Sequence, residues 1–550
     1  MSAENGVSQD SATVSRANVR WPGPGAVVRL ERTHRRLLRR RLGVDVVERS
    51  PSGRVRVPPG RLAPAAVAAL RSAVGTAHVR TDAADRLARA GGMSYLDLLH
   101  RRDDDTVDAP DAVVVPATHD EVVAVLGACE EHGIAVVPYG GGTSVVGGLG
   151  AGPDRCAITL DLSRMNALVD VDEVSQTATM QPGVTGPDAE RLLGEQGLTL
   201  GHFPQSWECS TVGGWVATRS AGQLSTGVGR IDDLVVALRV ATPRGTLELG
   251  RGPRSAAGPD LRELFVGSEG ALGVITEVRL RVRPASTVVR YLGWSFPDFA
   301  AGLAAVRRLR QDDVAPDLLR LSDETETAVT LDLAGRPGRA LRAYQRMRGH
   351  VGGCLVITGW EGTSNTTIRA RRALADSVLR AEGGVPLGER VGESWLHGRY
   401  GAPYLRDALL DASLLAETLE TAADWSSLAE LHATVVGVLE RTLSDLDTPP
   451  VVMAHVSHAY PTGASLYITV IARRLDDDPA GQWWAAKRAA LEAITDLGAT
   501  ITHHHAVGAD HRPWMTDEVG ALGVEVLRAV KRTVDPAGIL NPAVLIPPGE

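Results

Sequence analysis

Three separated segments constrain the fold of this chain more than any other feature, and side chains are nearly absent where the first and third of them turn. PYGGGTSV (residues 138–145) continues the apolar run IAVVP, PQSWECSTVGGW (204–215) comes midway, and GSEGALGVIT (267–276) leads into the alternating run EVRLRVRP. Glycine runs at strand ends let backbone N–H groups approach a bound anion and form a concave nest for it. A cofactor that carries a pyrophosphate is the ligand expected to bind in such nests. The segments match neither the Rossmann GxGxxG nor the P-loop GK[ST] pattern.

The order of the three segments carries a family resemblance. By itself, GGGTSV could equally well be an ordinary turn. Together the three segments resemble the FAD-binding domain of the vanillyl-alcohol oxidase flavoprotein superfamily, and KRTVDPAGILNP (531–542) is similar to its closing motif. The resemblance implies an α+β protein, with a PCMH-type FAD-binding domain of two α+β subdomains and an α+β cap domain built on an antiparallel sheet. Alternating strand and helix patterns after residue 112 favour the same class.

Composition and charge indicate which binding partners and which cellular compartment to expect. A formal net charge of −8 argues against nucleic acid, because binding to a phosphate backbone needs a basic surface. No apolar run reaches transmembrane length, and the polar start is unlike a secretory signal. The cysteines, which show no disulfide or zinc spacing, are Cys129, Cys156, Cys209 and Cys354. We therefore expect a cytoplasmic protein, and the Ala- and Arg-rich composition suggests a bacterial one.

The chain divides into five regions by composition and motif. We expect a disordered tail (1–20), an N-terminal helical region (21–105), the FAD-binding domain (106–285), a cap or substrate domain (286–500) and a C-terminal segment that returns to the flavin (501–550). Within the cap, residues 416–446 read as one long helical stretch. VVMAHVSHAY and SLYITVIARR, joined by the turn PTG, read as a hairpin.

A basic segment, VVRLERTHRRLLRRRLG, predicts a partly amphipathic helix. Its arginines flank leucines and are Arg29, Arg32, Arg35, Arg36, Arg39, Arg40 and Arg41. Such a helix can contact an anionic membrane surface. It can also be a solvated helix that packs on the body through its leucines, and the general behaviour of charge runs favours this second interpretation.

Ionisable residues crowd the C-terminal third. His455 and His458 lie on one strand of the predicted hairpin, Tyr467 on the other, and His503, His504 and His505 at a predicted strand end. The histidine run could be a metal site, a surface loop or acid–base machinery. No Asp, Glu or Cys stands at companion spacing, and adjacent strand residues point to opposite faces, so we predict no metal. Imidazole titrates near neutral pH, which favours proton transfer beside the flavin.

A narrower resemblance comes from four further motifs. ASLYIT, HHHAVG, PDLLRLSD and GAPYLRD are similar to the alkylglycerone-phosphate synthase (alkyldihydroxyacetonephosphate synthase) family of ether-lipid synthesis. That family exchanges the acyl chain of acyl-dihydroxyacetone phosphate for a fatty alcohol through a flavin adduct, with no net redox change. The resemblance places the catalytic residues at Tyr467, His503, His504 and His505, and the substrate-binding arginines at Arg320 and Arg406.

The same resemblance places the flavin contacts in four segments. They are Pro138, Tyr139, Gly140, Gly141, Gly142, Thr143 and Ser144; Pro204, Gln205, Ser206, Trp207, Glu208, Cys209 and Ser210; Ala217, Thr218, Arg219 and Ser220; and Glu269, Gly270, Ala271, Leu272, Gly273, Val274 and Ile275. Thr143 stands where covalent relatives often have a histidine, so we expect non-covalent FAD. A homodimer and peripheral membrane contact are further expectations.

The chemistry of the exchange suits these residue types. A positioned His or Tyr can remove the proton next to a ketone, and a guanidinium can anchor a phosphate. Either arginine could instead form a structural ion pair, and Tyr467 could be a core aromatic. Two other functions stay open: a flavin 2-hydroxy acid dehydrogenase or oxidase of the D-lactate or glycolate type, and a flavin-binding protein without turnover. HVSHAYPTG stands where the dehydrogenases usually carry an HxGDGN-like motif, which counts against the first.

Overall fold

The computed structural model describes residues 12–15, 20–21, 27–49, 53–152 and 155–549. The N-terminal region contains β1 (Ala12–Ser15), α1 (Arg32–Leu42), β2 (Arg54–Val57), α2 (Pro64–Val74), β3 (Val79–Arg80), α3 (Ala83–Leu87) and α4 (Tyr95–Asp103). β1 pairs antiparallel with β2, with Val14 opposite Val55. The expectation of disorder across residues 1–20 is therefore wrong for 12–15, because this valine pair anchors a polar segment to a small core. Residues 1–11 and 16–19 lie outside the described residues.

The first flavin subdomain is a small, mostly parallel sheet. It contains β4 (Ala112–Val114), α5 (His119–His132), β5 (Ala135–Tyr139) and β6 (Ala157–Asp161). Its strand order is β3-β4-β6-β5, in which β4, β6 and β5 run parallel. α5 is capped by Thr118 and buries Val122, Val125 and Leu126 against the sheet. This arrangement delivers the first glycine segment at the carboxyl end of β5, which is where ligands bind in open α/β sheets.

The second flavin subdomain is antiparallel. Its elements are β7 (Leu168–Asp172), β8 (Thr177–Met180), α6 (Gly186–Gly194), β9 (Leu198–Thr199), α7 (Val212–Ala217), α8 (Ser225–Val228), α9 (Ile231–Leu234), β10 (Val235–Thr242), β11 (Gly245–Leu249), α10 (Arg262–Phe265), β12 (Val274–Arg281) and β13 (Arg283–Pro284). Five strands form one sheet in the order β11-β10-β12-β8-β7, and β13 pairs with β9. The second of the three segments ends in α7, and the third ends in β12.

The cap follows without a break. Its elements are β14 (Val288–Phe296), α11 (Phe299–Gln311), β15 (Leu318–Ser322), α12 (Glu324–Leu333), α13 (Arg336–Met347), β16 (Cys354–Gly362), α14 (Asn365–Ala381), β17 (Val385–Gly388), α15 (Glu389–Gly398), α16 (Ala402–Asp411), β18 (Leu414–Asp424), α17 (Leu428–Asp445), β19 (Val451–Val456), β20 (Gly463–Arg473) and α18 (Pro479–Asp496). Seven strands pair antiparallel in the order β17-β14-β16-β15-β19-β20-β18. Together with the two flavin subdomains, this sheet confirms the predicted α+β class.

One cap element corrects the sequence interpretation. Residues 416–424, expected to be helical, belong to β18, and only α17 is helical in that stretch. The segment LLAETLETAAD is rich in helix-forming residues, but it pairs with β20 along its whole length, from Leu414 opposite Arg473 to Asp424 opposite Gly463. The ladder and the burial of both faces outweigh local propensity, which is a weak prior in a packed sheet. This strand carries two carboxylates that organise the site.

The C-terminal segment lies against the flavin domain. α19 (Met515–Val534) is kinked at Gly520, whose φ is 74°. Beyond it, Val136 of β5 donates its N–H to Ile539 at 2.8 Å, and Asn541 donates its own to Val136 at 2.9 Å. The final residues therefore extend the first flavin sheet. None of the described helices has the combination of length and hydropathy that a bilayer crossing requires.

Buried ions join the N-terminal region to the cap. The guanidinium of Arg102 lies 2.9 Å from Asp407 and 2.7 Å from Asp411, both on α16. The backbone N–H of Trp21 also donates to Asp407, at 2.8 Å. These contacts fix α16, whose opposite side faces the site.

Candidate active site

A cavity of about 490 Å³ lies between the flavin domain and the cap. Most of the predicted flavin contacts line it: Pro138, Tyr139, Gly140, Gly141, Gly142, Thr143, Ser144, Pro204, Gln205, Ser206, Ser210, Ala217, Thr218, Ser220, Glu269, Gly270, Gly273 and Ile275. All three small-residue segments therefore meet at one place. Seven predicted contacts do not line the cavity: Trp207, Glu208, Cys209, Arg219, Ala271, Leu272 and Val274.

The residues outside the cavity support its walls. Arg219 forms ion pairs with Asp232 and Glu263, and Leu272 and Val274 are core residues with almost no exposure. Glu208 accepts a hydrogen bond from the Tyr404 hydroxyl of α16 at 3.0 Å. Sequence motifs of this kind mark whole segments, and alternate residues of a segment face away from the ligand.

The first glycine segment is required by packing as well as by ligand approach. A Cβ on Gly140 would lie 2.2 Å from Oγ1 of Thr211, and a Cβ on Gly141 would lie 2.0 Å from the carbonyl oxygen of Cys209. The loop of the first segment therefore packs directly against the loop of the second segment, and both loops line the same cavity. Gly142 has φ of +68°, which glycine adopts without strain. A continuous cradle of backbone and small side chains fits FAD, whose pyrophosphate needs close backbone approach.

Glu269, in the third segment, connects the cradle to the C-terminal segment. Its carboxylate accepts the N–H of Val507 at 3.0 Å and of Gly508 at 2.8 Å. The Asn541 side chain donates to the Glu269 carbonyl oxygen at 2.7 Å. Burial raises the pKa of the Glu269 carboxyl to about 7, although the two N–H groups oppose the rise. The residue couples the flavin loop to the segment that follows the histidine run.

Tyr467 and the histidines meet over the cavity. Tyr467 stacks on His455 with ring centroids 4.8 Å apart, and it stacks on His504 at 5.8 Å. His505 meets the same tyrosine edge-on at 5.4 Å. Tyr467, His504 and His505 line the cavity, together with His455 and His458. Burial raises the pKa of Tyr467 to about 12, so its hydroxyl keeps its proton at neutral pH.

The histidine run is a bend that follows the isolated β-bridge between Thr500 and Ala422, and a buried carboxylate holds it. Glu420 of β18 accepts the backbone N–H groups of His503, His504 and His505 and the Thr502 hydroxyl, at 2.6 to 3.2 Å. Glu420 stands directly opposite Tyr467 in the β18–β20 ladder. One strand pair therefore positions both halves of the predicted catalytic set.

Sequence reasoning missed this carboxylate. Glu420 lies in the stretch predicted as helix, where acidic residues are common on exposed faces. The alternation of buried and polar residues in ETLETA was the available signal, since it fits a strand as well as a helix.

His503 occupies a different position from its neighbours. Its Nε2 lies 2.7 Å from the Tyr460 hydroxyl, and its Nδ1 lies 2.9 Å from Nδ1 of His504. It does not line the cavity, whereas His458, which no motif marked as catalytic, does. Burial lowers the pKa of His455, His458 and all three residues of the run below the ordinary value, and neighbouring cations add to the effect. Neutral imidazoles carry a free lone pair at neutral pH.

Both predicted arginines line the cavity and both have acidic partners. Arg320 forms an ion pair with Glu326 and lies 3.0 Å from Nε2 of His455. Burial would raise the pKa of Glu326, but the charges of Arg320 and His455 hold it at about 2. Arg406 lies 3.4 Å from Glu417, and its Nε is buried without a hydrogen-bond partner among the described residues.

Part of the cavity wall is apolar. Its lining there consists of Trp21, Leu405, Leu409, Met453 and Ile471. Charged groups and this apolar wall together match a substrate with an anionic head and a hydrocarbon chain.

The fold and the site define the class of protein. A flavin cradle of three small-residue segments, closed by an antiparallel cap that contributes Tyr and His, is the architecture of FAD-linked enzymes. Family models agree: the FAD binding domain matches residues 110–250, and the C-terminal domain of FAD linked oxidases matches residues 285–545. The predicted FAD cofactor is thereby confirmed.

Individual relatives identify the family. The chain is 34% identical to alkyldihydroxyacetonephosphate synthase of Dictyostelium discoideum over 482 residues, which is 85% of this chain and 78% of the relative. The enzyme of that name from Trypanosoma brucei brucei is 32% identical over 505 residues, 90% of this chain and 82% of the relative. A solved alkyldihydroxyacetonephosphate synthase structure superimposes with a TM-score of 0.81 at 30% identity, covering 93% of this chain and 92% of the other.

The chain therefore belongs to the alkyldihydroxyacetonephosphate synthase family. The sequence-based family resemblance is confirmed, and the finding favours this family over the 2-hydroxy acid dehydrogenases.

Gly141 provides a test of the cradle. Replacing Gly141 with Ala puts a methyl group 2.0 Å from the Cys209 carbonyl oxygen, so the two loops must separate and FAD binding is lost. We expect the flavin-to-protein absorbance ratio of purified Gly141→Ala to fall at least about tenfold, which corresponds to about 1.4 kcal/mol. Gly150→Ala, where nothing lies within 4 Å, is the matched control and should retain its flavin. Full flavin content in Gly141→Ala would contradict the packing argument.

His202 provides a test of burial in the flavin domain. Burial, assisted by the charge of Arg230, lowers its pKa from 6.5 to about 3, and its Nε2 lies 2.7 Å from the Ser220 hydroxyl. As pH falls below 6.5, the unfolded chain takes up a proton that the folded protein does not. The contribution of His202 to the free energy of unfolding is therefore fully present above the pKa of the unfolded chain. Below that pKa it decreases by about 1.4 kcal/mol per pH unit.

The measurement is the thermal midpoint between about pH 7.5 and about pH 5. The midpoint of His202→Gln should fall less steeply with decreasing pH than that of the wild type. His397→Gln, which removes an exposed histidine, should keep the wild-type slope. Equal slopes for wild type and His202→Gln would show that His202 does not cause the pH dependence of the thermal midpoint.

Proposed function

We propose that this protein exchanges the acyl chain of an acyl-dihydroxyacetone phosphate for a fatty alcohol, with FAD held non-covalently. The observation that carries the proposal is the placement of a protonated tyrosine, Tyr467, and a neutral imidazole, His504, side by side over the flavin cradle. Family membership supports the same reaction. Thr143 in the first loop supports non-covalent FAD, and acid precipitation should leave such a flavin in the supernatant.

The exchange breaks one C–O bond and forms another. His504 takes the proton from the carbon next to the ketone, while the Tyr467 hydroxyl donates a hydrogen bond to the ketone oxygen. FAD, when bound, supplies an electron sink for that carbon. The carboxylate leaves, the alcohol oxygen bonds to the carbon, and His504 returns the proton. The exchange releases one carboxylate and one proton, that of the alcohol, and because the carbon replaces one C–O bond with another, no electron is gained or lost overall.

Two guanidinium groups provide the phosphate anchor. Arg320 is fixed by Glu326, whereas Arg406 has a buried Nε with no partner among the described residues. A phosphate dianion would satisfy that donor, and bidentate contact with guanidinium is the strongest form of phosphate recognition. We assign Arg406 as the principal anchor and Arg320 as its neighbour. The apolar wall that includes Leu405 and Leu409 receives the chain.

The test is an anaerobic exchange assay. Palmitoyl-dihydroxyacetone phosphate is added to the FAD-loaded protein, followed by hexadecanol, and fatty acid and ether product are quantified. Tyr467→Phe and His504→Ala should each lower the exchange rate by at least about 100-fold while retaining flavin, because the first removes the hydrogen-bond donor to the ketone oxygen and the second removes the proton acceptor. Tyr344→Phe, on α13 in the cap, is the matched control and should have the wild-type rate. Full activity in both site variants would refute the assignment. Lasting flavin bleaching by a 2-hydroxy acid, without exchange, would refute the function.

Peripheral membrane contact is part of the proposal. α1 presents exposed Arg32, Arg36 and Arg41, while Leu38 is buried against the cap. Arg35, Arg39 and Arg40 have acidic partners. Replacing Arg32, Arg36 and Arg41 with Gln should abolish flotation with vesicles that contain anionic lipid, each charge contributing about 1 kcal/mol. Unchanged flotation would exclude α1 as the contact.

We also propose a cytoplasmic homodimer. Val519, Leu522 and Val526 of α19 are exposed apolar residues, which a second copy would cover. Sedimentation equilibrium giving the monomer mass at micromolar concentration would exclude it.

A further inference from the structure

A histidine cluster at the edge of the cavity has the form of a metal site. Nitrogen atoms of His458, His503 and His504 all lie within 4.8 Å of one another. Two separate segments supply them: the loop after β19 and the turn after α18. The sequence-based argument against a metal was that no Asp, Glu or Cys stands at companion spacing and that adjacent strand histidines point to opposite faces. In the structure the run is not part of a strand, and the nearby third imidazole belongs to His458.

The geometry points to binding of one divalent transition-metal ion, such as Zn²⁺, by His458, His503 and His504. Imidazole nitrogen suits borderline ions such as zinc, nickel and copper, whereas magnesium and calcium prefer oxygen ligands. Three histidines with a fourth position open to solvent or substrate form a standard zinc ligand set. His458 and His504 line the cavity, so the fourth position is accessible from it.

The cluster is already assembled for coordination. The His458 carbonyl oxygen accepts the N–H of Ser465 at 2.8 Å, and the His458 N–H donates to the Ser465 hydroxyl at 3.3 Å. Glu420 accepts the backbone N–H groups of His503 and His504. Nitrogen ligands of a tetrahedral zinc lie about 3.3 Å apart. The three nitrogens here are at most 4.8 Å apart, so no pair has to approach by more than about 1.5 Å.

Two polar details support the assignment. Nδ1 of His458 is buried without a hydrogen-bond partner among the described residues, and the side chain is 5% exposed. An unpaired buried nitrogen is costly, and coordination would satisfy it. His503 has an outer partner in the Tyr460 hydroxyl at 2.7 Å, which is the kind of contact that orients a metal-bound histidine.

A bound ion would compete with proton transfer. Coordination uses the imidazole lone pair that the exchange requires of His504, so zinc would act as an inhibitor. This consequence rests on the proposed function, whereas binding itself does not. The binding and inhibition tests are therefore separate.

Binding is tested on chelator-treated, FAD-loaded protein by calorimetric titration with ZnCl₂ and by anomalous diffraction at the zinc edge. We expect one ion per chain between the three histidines. His458→Gln should weaken binding by at least about 100-fold, because one of three ligands is lost. His397→Gln should bind as tightly as the wild type, since that residue lies on α15 outside the cluster. If His458→Gln does not fold, His503→Gln replaces it.

The inference is overturned if the wild type binds zinc more weakly than about 1 mM. It is also overturned if the ligand variant binds as tightly as the wild type, or if the anomalous peak lies elsewhere. Inhibition is measured in the exchange assay with and without ZnCl₂. A protein that binds zinc at the cluster but has no exchange activity after chelation would refute the proposed function and leave the metal site intact.

Discussion

The site depends on one buried carboxylate surrounded by backbone donors. Glu420 is almost completely buried, and consecutive N–H groups of the histidine run converge on it. A carboxylate that accepts several such bonds is stabilised as an anion, and burial alone would have the opposite effect. The pKa of Glu420 is lowered accordingly, with burial outweighed by His505 and these hydrogen bonds. Without this anion, the turn would bury N–H groups with no acceptor, and the imidazoles would lose their orientation.

A second carboxylate ties the same turn to the cofactor. Glu420, in the cap, accepts a backbone N–H at the beginning of this turn. Glu269, in the flavin domain, accepts the N–H groups of Val507 and Gly508 at its end. The turn is thus fixed at both ends to two different domains. Movement of the cap relative to the flavin cradle would strain these hydrogen bonds. The hydrogen bonds therefore fix the position of the reacting groups relative to the cofactor site. Precision of this kind is what proton transfer at a defined carbon requires.

The sequence predicted best those features that the backbone enforces locally. Gly140 and Gly141 mark the cradle because no side chain fits at either position, and such a constraint can be recognised in a motif. Tyr467 and His504 could be named from the family resemblance. Glu420 could not, because its role depends on the pairing of β18 with β20, and local composition favours a helix there. His458 was noticed but not joined to the histidine run, since only the folded cap brings the two segments together.

The closure of the cap has a consequence for the order of folding. The edge strand β18 and helix α16 pack against Leu30 and Leu38 from the start of the chain. Arg102 likewise meets Asp411, which lies 309 residues further along. During synthesis the first helix leaves the ribosome long before its partner exists, and its leucines stay exposed for that interval. Closing so long a loop adds little equilibrium cost, because loop entropy grows only logarithmically, but contacts between residues so far apart in sequence form slowly. The N-terminal region therefore cannot complete its contacts with the cap until the cap has been synthesised, although it is made first.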